Sequence, residues 1–212
     1  FMKIFLMLML ATMIHNFRSD YKNPDLRQEF FFILKTLGIV LIPSILTFLQ
    51  PDTGAVIIYF IIYFCMMFVS GIRMRWFLIA FGVVASILAV IFGIYFFNQN
   101  LFIDLFGTDL FYRFDRIFSW RDGTGLQLEN ALAAIGSAGF LGHGFNQTPI
   151  YFPESSTDFI FAVYASNFGL LGVIILLGVI IYFDIQIIML AKRKLVDTDK
   201  YILAGILGML LF

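Results

Sequence analysis

The chain alternates long apolar runs with short polar joints. The runs fall roughly at 1 to 17, 30 to 49 with one Lys, 53 to 72, 76 to 103, 159 to 183 and 201 to 212. A helix that crosses a bilayer needs about 20 predominantly apolar residues, and lipid offers exposed backbone groups no hydrogen-bond partner, so only helices or closed barrels span it. None of the runs shows the two-residue alternation of a membrane strand. The pattern therefore predicts an all-α fold, a polytopic integral membrane helix bundle of about six segments. The first reads as a helix already under way, and the last stops about eight residues short of a spanning length. Two segments are thus expected to be cut, and residues 1–212 are expected to be an internal fragment of a single membrane domain. The opening FMKIFLMLMLATMIHNF has no short basic leader and no small-residue cleavage site, so it does not read as a signal peptide.

Composition agrees. Of 212 residues 61% are hydrophobic and 13% charged, where a soluble domain carries about 25% charged. Fourteen Lys and Arg balance fourteen Asp and Glu, so there is no basic excess to neutralise phosphates and a nucleic-acid partner is excluded. The one cysteine, Cys65, lies in an apolar run. It offers neither an intrachain disulfide nor a Cys-based metal site. There is no HExxH and no GxSxG, which excludes the familiar metalloprotease and acyl-transfer serine arrangements.

The placement of charge orients the chain. Arg18, Lys22 and Arg27, then Arg73 and Arg75, then Lys192, Arg193, Lys194 and Lys200 put nine cations at alternate joints. The opposite side holds Arg113, Arg116 and Arg121 in a stretch of about 55 residues, 104 to 158, that also carries Asp104, Asp109, Asp115, Asp122, Glu129, Glu154 and Asp158. Cytoplasmic loops carry the Lys/Arg excess, so the 104 to 158 stretch is expected to be a large extracellular loop. Lys3 then lies in the outer half of the first helix, about 20 Å from its inner end at 1.5 Å per residue, too deep to snorkel inward. Lys35 and Asp184 read as near enough to inner helix ends to reach interfacial water. Pro43 should bend the second helix, and Trp76, Tyr95, Phe96 and Phe97 read as interfacial anchors.

Three outer features invite chemistry. Gln50-Pro51-Asp52-Thr53-Gly54 is a tight reversal between helices, with Asp52 either a solubilising residue or part of a site. The run Ala134-Ile135-Gly136-Ser137-Ala138-Gly139-Phe140-Leu141-Gly142-His143-Gly144 follows a helix-like LQLENALAAI and is too apolar for a free loop. It should lie against the membrane surface; close packing explains its glycines better than a phosphate cradle, since no Walker-type Lys-Ser/Thr follows. His143 between two glycines reads as a loop residue. Third, Phe152-Pro153-Glu154-Ser155-Ser156-Thr157-Asp158 leads into the fifth apolar run. Helix capping alone explains an acid there. A carboxylate at the membrane rim is also partly desolvated, which makes it a more competent base. Lys3 is its natural counter-charge if the first and fifth helices are neighbours.

Taken in order, Gln50-Pro51-Asp52-Thr53-Gly54, then Gly125-Leu126-Gln127 leading to AIGSAGFLGHG, then Pro153-Glu154 and Thr157-Asp158-Phe159-Ile160-Phe161-Ala162, the motifs resemble the SEDS family, of RodA, FtsW and SpoVE type. The resemblance covers nearly the whole chain, from what looks like the family's fourth helix, with its Lys at Lys3, to what looks like its ninth. It implies a ten-helix bundle in the bacterial plasma membrane that polymerises peptidoglycan glycan strands from a polyprenyl-linked disaccharide, lipid II, in partnership with a class B penicillin-binding protein. It also implies that Asp158 is the essential residue and that Arg116 matches the family's Arg ahead of the Gln-containing segment. Two positions depart: Ser166-Asn167-Phe168-Gly169 stands where many members carry Glu-Glu before a glycine, and Ala138 where Gly is common.

One carboxylate suffices for that chemistry. A glycosidase expels a poor alkoxide and needs a second carboxyl group as acid, whereas a polyprenyl pyrophosphate leaves without protonation. Asp158 would then act as general base on the acceptor 4-hydroxyl, a contribution of roughly 10² to 10⁴-fold. Lys3, Arg116, Glu154, Gln127 and Asp52 are the expected substrate, leaving-group or structural supports. A divalent cation, Mg or Mn, is suspected at the pyrophosphate, with Asp158 a possible ligand. The alternatives are a flippase for the lipid-linked precursor or a non-enzymatic scaffold for the penicillin-binding protein.

Overall fold

Backbone that must keep its hydrogen bonds in lipid folds as helix, and in the computed structural model eight helices follow one another among the described residues: α1 (Met2–Asp20), α2 (Leu26–Leu49), α3 (Thr53–Val69), α4 (Met74–Phe97), α5 (Gln99–Arg121), α6 (Leu126–Ser137), α7 (Ile160–Ala191) and α8 (Asp197–Leu210). The structure describes residues 1–50, 52–121, 126–151, 157–193 and 196–210, without the side chains of 109, 113, 114, 116–121 and 126. No strand occurs among the described residues. Three helices, α2, α4 and α7, are long and apolar enough to cross a membrane, and α3 is a shorter apolar helix. The six apolar runs correspond to α1, α2, α3, α4, α7 and α8.

Local signals set the boundaries. Asp25 and Gln28 form a capping box at the head of α2, with the Asp25 amide donating to Gln28 Oε1 at 2.9 Å. Asp52 caps α3, its Oδ1 accepting from the Ala55 amide at 3.0 Å. Pro43 lies inside α2, which continues through it. At the head of α8 the Lys200 ammonium donates to Asp197 Oδ1 at 2.9 Å and holds that carboxyl below the usual carboxylate range. The pair is exposed, and such pairs contribute about 0–1 kcal/mol.

Two compact units form, residues 1–77 with 181–212 and residues 78–180. In the first, α1 turns Leu6, Leu10, Ile14 and Phe17 onto one stripe, and these meet Ile62 and Met66 of α3 and Tyr201 of α8 in a common core. Lipid is as apolar as Leu, so contact between membrane helices rests on close packing rather than on expulsion of water. Gly205 and Gly208 of α8 provide it: a Cβ at Gly205 would stand 3.0 Å from Met7, and one at Gly208 2.9 Å from Cys65 Sγ. Thr36 and Tyr63 join α2 to α3 by a buried hydroxyl pair at 3.2 Å.

The basic end of this unit holds a polar clamp. Glu29 in the first turn of α2 is 2% exposed. Its Oε2 accepts from Trp76 Nε1 at 2.9 Å, and Arg73 Nε lies 3.7 Å from its Oε1. Arg73 also donates to the Pro24 carbonyl at 2.9 Å, and Arg18 Nε donates to the Ser70 carbonyl at 2.7 Å. The ends of α1 and α2 are thus tied to the turn between α3 and α4. Trp76, expected as an interfacial anchor, has its ring nitrogen engaged inside the protein.

In the second unit the 104 to 158 stretch carries helical segments, most of α5 and the whole of α6. Gln99 opens a helix that runs to Arg121 across a break at Gly107 (φ 82°, ψ 162°). Its aromatic residues fold against α4: Phe102, 1% exposed, lies 5.5 Å from the Tyr95 ring and 6.2 Å from Phe111. Tyr95, expected at the interface, is a buried member of this cluster. The helix-like LQLENALAAI is α6, as expected.

The clamp makes a stability prediction. Glu29→Ala leaves the Trp76 and Arg73 donors without their acceptor and should cost about 1.5–3 kcal/mol, read as a lower unfolding midpoint in detergent. Glu29→Gln keeps an acceptor for Trp76 and should lose less.

Candidate functional site

The apolar run at 159 to 183, expected as one spanning helix, is α7, and it is broken. Gly169 has φ 63° and ψ −165°, so a segment of nine residues, Ile160 to Phe168, precedes the break and a longer one of 22 residues follows it. A break frees backbone groups that lipid cannot satisfy. The glycine-rich loop satisfies them. The His143 amide donates to the Ser166 carbonyl at 2.9 Å and the Gly144 amide to the Asn167 carbonyl at 3.1 Å. In return the Leu170 and Leu171 amides donate to the Gly139 and Phe140 carbonyls, each at 3.1 Å. Four hydrogen bonds knit loop and helix into one joint.

Only glycine fits where the two chains cross. At Gly142 (φ 79°) a Cβ would overlap the Asn167 carbonyl oxygen and stand 2.6 Å from the Gly169 nitrogen. At Gly169 it would overlap the Gly142 nitrogen and stand 2.6 Å from the Phe140 oxygen. Close packing, the local reading of this glycine run, is what the geometry shows. Thr148 adds a side-chain tie, donating to Asn167 Oδ1 at 3.0 Å, and Ser137 Oγ meets His143 Nε2 at 3.1 Å. Ser166 is fully buried, and its hydroxyl has no hydrogen-bond partner among the described residues. Where the resemblance expects two acids, this chain buries two neutral polar groups, Ser166 and Asn167. Burying them avoids the desolvation cost that two carboxylates carry. The joint escaped sequence reading because it pairs residues about 25 positions apart. Its visible signals were the glycine run, read as close packing but without its partner, and Ser166-Asn167 inside an apolar run.

Asp158 stands at the head of this construction. It occupies the turn Thr157–Phe159 immediately before α7. Phe159 packs with Val163 against Ala131 and Ala134 of α6 and Ala162 of α7, so α6 fixes the level of the Asp158 backbone. The Asp158 side chain is exposed. The desolvation expected at this carboxylate is therefore not supplied by the described residues of the chain. Gln127, exposed, lies in the first turn of α6 in the same unit, and Arg116 falls within α5, its side chain outside the described residues. Glu154 lies outside the described residues.

Two further candidates belong to the first unit. Lys3 is half-buried in α1 and forms no ion pair among the described residues. Asp52 is the α3 cap already described, a structural task that accounts for it locally. Among the described residues no group of three or more His, Cys, Asp or Glu is placed to hold a metal ion.

A helical chain with three helices long and apolar enough to cross a membrane, one of them broken and braced by a glycine loop, has the build of a polytopic membrane protein. The family model for the cell cycle proteins FtsW, RodA and SpoVE matches residues 1–212, and the chain belongs to that family. It is a multi-pass bacterial membrane protein. It is similar to the probable peptidoglycan glycosyltransferase FtsW of Buchnera aphidicola subsp. Schizaphis graminum, 30% identical over 205 residues that cover 92% of this chain and 53% of that protein. The corresponding protein of Saccharophagus degradans is 31% identical over 182 residues, 81% of this chain and 43% of its own length. That of Thiomicrospira cyclica is 37% identical over 142 residues, 63% and 33% respectively. The chain spans about half the length of the curated relatives it matches.

The joint can be tested directly. Gly169→Ala places a side chain in a backbone conformation reserved for glycine, costing about 1–3 kcal/mol before the clash with the loop is counted. A clear drop in the detergent unfolding midpoint is expected. Gly136→Ala, where a Cβ meets nothing within 4 Å inside α6, should leave it unchanged or raise it by up to about 1 kcal/mol equivalent.

Proposed function

We propose that the full-length protein polymerises peptidoglycan glycan strands from a polyprenyl-linked disaccharide-peptide, with Asp158 as the general base. The reading is carried by the family match along the whole chain, in which relatives are named probable peptidoglycan glycosyltransferases. The position of Asp158 supports it: the acid heads a half-helix whose far end is pinned by the Gly142 and Gly169 crossing.

The reaction needs a proton removed from the acceptor sugar's 4-hydroxyl as its oxygen attacks the anomeric carbon of the donor. Asp158 takes that proton. The bond from the anomeric carbon to the pyrophosphate oxygen breaks, and the polyprenyl pyrophosphate departs as a stable anion, so no second carboxyl group is required as acid. Direct displacement inverts the anomeric centre. Arg116 is the proposed cation for the leaving group, since preorganised positive charge stabilises a departing phosphate. Gln127 and Glu154 are proposed to contact the sugars. The Asp158 side chain is exposed; substrate and lipid would supply the dry surroundings in which a carboxylate becomes a stronger base.

We place the 104 to 158 stretch on the outer face, because the nine Lys and Arg of the opposite joints belong on the cytoplasmic side. A class B penicillin-binding protein is the proposed partner, consuming the new strand by cross-linking it.

Asp158→Asn in the purified full-length protein should fold and bind lipid-linked substrate yet lose roughly 10² to 10⁴-fold in polymerisation, the range of general-base catalysis. Glycan made at a near-normal rate by that variant removes the assignment. Polymer formed by the wild-type protein in detergent, without membrane sidedness or a second polymerase, separates this reading from a flippase and from a scaffold. Single cysteines placed at Thr108 and at Lys22, labelled from outside intact cells, should react at Thr108 only.

A further inference from the structure

Lys35 is exposed on α2, five residues past Phe30, where the apolar run begins. Because α2 begins at Leu26 rather than near residue 30, Lys35 is nine residues inside it, about 13 Å from its start. A cation on a spanning helix that faces a cavity is a candidate functional position. Among the described residues it forms no ion pair.

Lys35 opens instead onto a cleft of about 460 Å³ between α1 and α2, within the roughly 300–1,000 Å³ of small-molecule sites. The order of charge along this cleft is informative. The two helices are antiparallel, joined through residues 21–25, so Asp20 and Gln28 lie at the mouth while Lys35 lies about 10 Å further up α2. Phe17 and Phe32, stacked at 4.1 Å, and Phe31 give it a rigid aromatic wall. The cleft thus carries a cation at depth, a carboxylate at the rim and apolar surface beside both.

A phospholipid with an amine headgroup has the complementary order, with its phosphate next to the acyl chains and its ammonium toward water. We propose that this cleft binds the headgroup of a phospholipid bearing a primary ammonium, phosphatidylethanolamine, from the leaflet facing the 21–25 connection. Lys35 meets the phosphate, Asp20 accepts from the ammonium, and an acyl chain runs along Phe31. The Asp20 carboxylate argues against an anionic headgroup, which it would repel. It favours three N–H donors over a quaternary amine, which has none. On the orientation proposed above, that leaflet is the inner one, but the binding itself does not depend on the orientation or on the polymerase reading.

The test is lipid retention by the purified full-length protein, read by native mass spectrometry after exchange with equal amounts of phosphatidylethanolamine, phosphatidylglycerol or phosphatidylcholine. The wild-type protein should retain phosphatidylethanolamine about tenfold better than either other lipid, the worth of one charge-assisted pair. Lys35→Met should lose that advantage while Lys35→Arg keeps it. Asp20→Asn, at the exposed end of α1, should bring phosphatidylglycerol up to the level of phosphatidylethanolamine. Equal retention of all three by the wild-type protein overturns the proposal. So does retention unchanged in Lys35→Met, the result expected if another segment of the full-length chain or a second copy fills the cleft. Glycan synthesis is not the readout, so a polymerase that fails its own test leaves this one standing.

Discussion

Every backbone amide and carbonyl inside a bilayer needs a partner within the protein, and this chain meets that demand most demandingly at Gly169. An uninterrupted helix would satisfy its own groups. The break gives that up, and the loop at 139–144 restores it by exchanging four hydrogen bonds with residues 166–171. Such an exchange requires two backbones to approach more closely than any side chain allows, and glycine at both 142 and 169 is the consequence. The half-helix carrying Asp158 at its head is fixed by this joint at one end and by the small-residue contact with α6 at the other.

The first unit solves a different problem. Its helices gain little from leaving lipid, so association depends on shape and on polar pairs that have no better partner elsewhere. Glycine and alanine on α8 let it sit close to α1 and α3, and the Glu29 clamp gathers the ends of α1 and α2 with the turn into α4. Two of the cations at these joints have a task inside the protein. Arg18 and Arg73 are spent on carbonyls and a buried carboxylate within the protein, whereas Lys35 is left facing a cleft.

The neutral pair Ser166 and Asn167 bears on how the site is built. Asn167 uses its carbonyls, main chain and side chain, to accept from Gly144 and Thr148. Its contribution is structural bracing, achieved without burying charge.

The hydrophobic pattern alone determined the helical class, the number of apolar segments and the side on which the cations gather, because segment length and charge placement answer to the thickness and polarity of the bilayer rather than to any neighbour. The ordered motifs likewise disclosed the family. Tertiary structure decided the rest. It showed the break in α7, the glycine crossing, the helix at Gln99, the burial of Tyr95 and Glu29 and the bond from Trp76 to Glu29, none of which follows from local sequence. Each depends on residues distant in the chain meeting in space: Gly142 with Gly169, Glu29 with Trp76, Tyr95 with Phe111. A periodic pattern states which face of a helix avoids water, but in lipid nearly every face does, so only packing reveals which side chains meet.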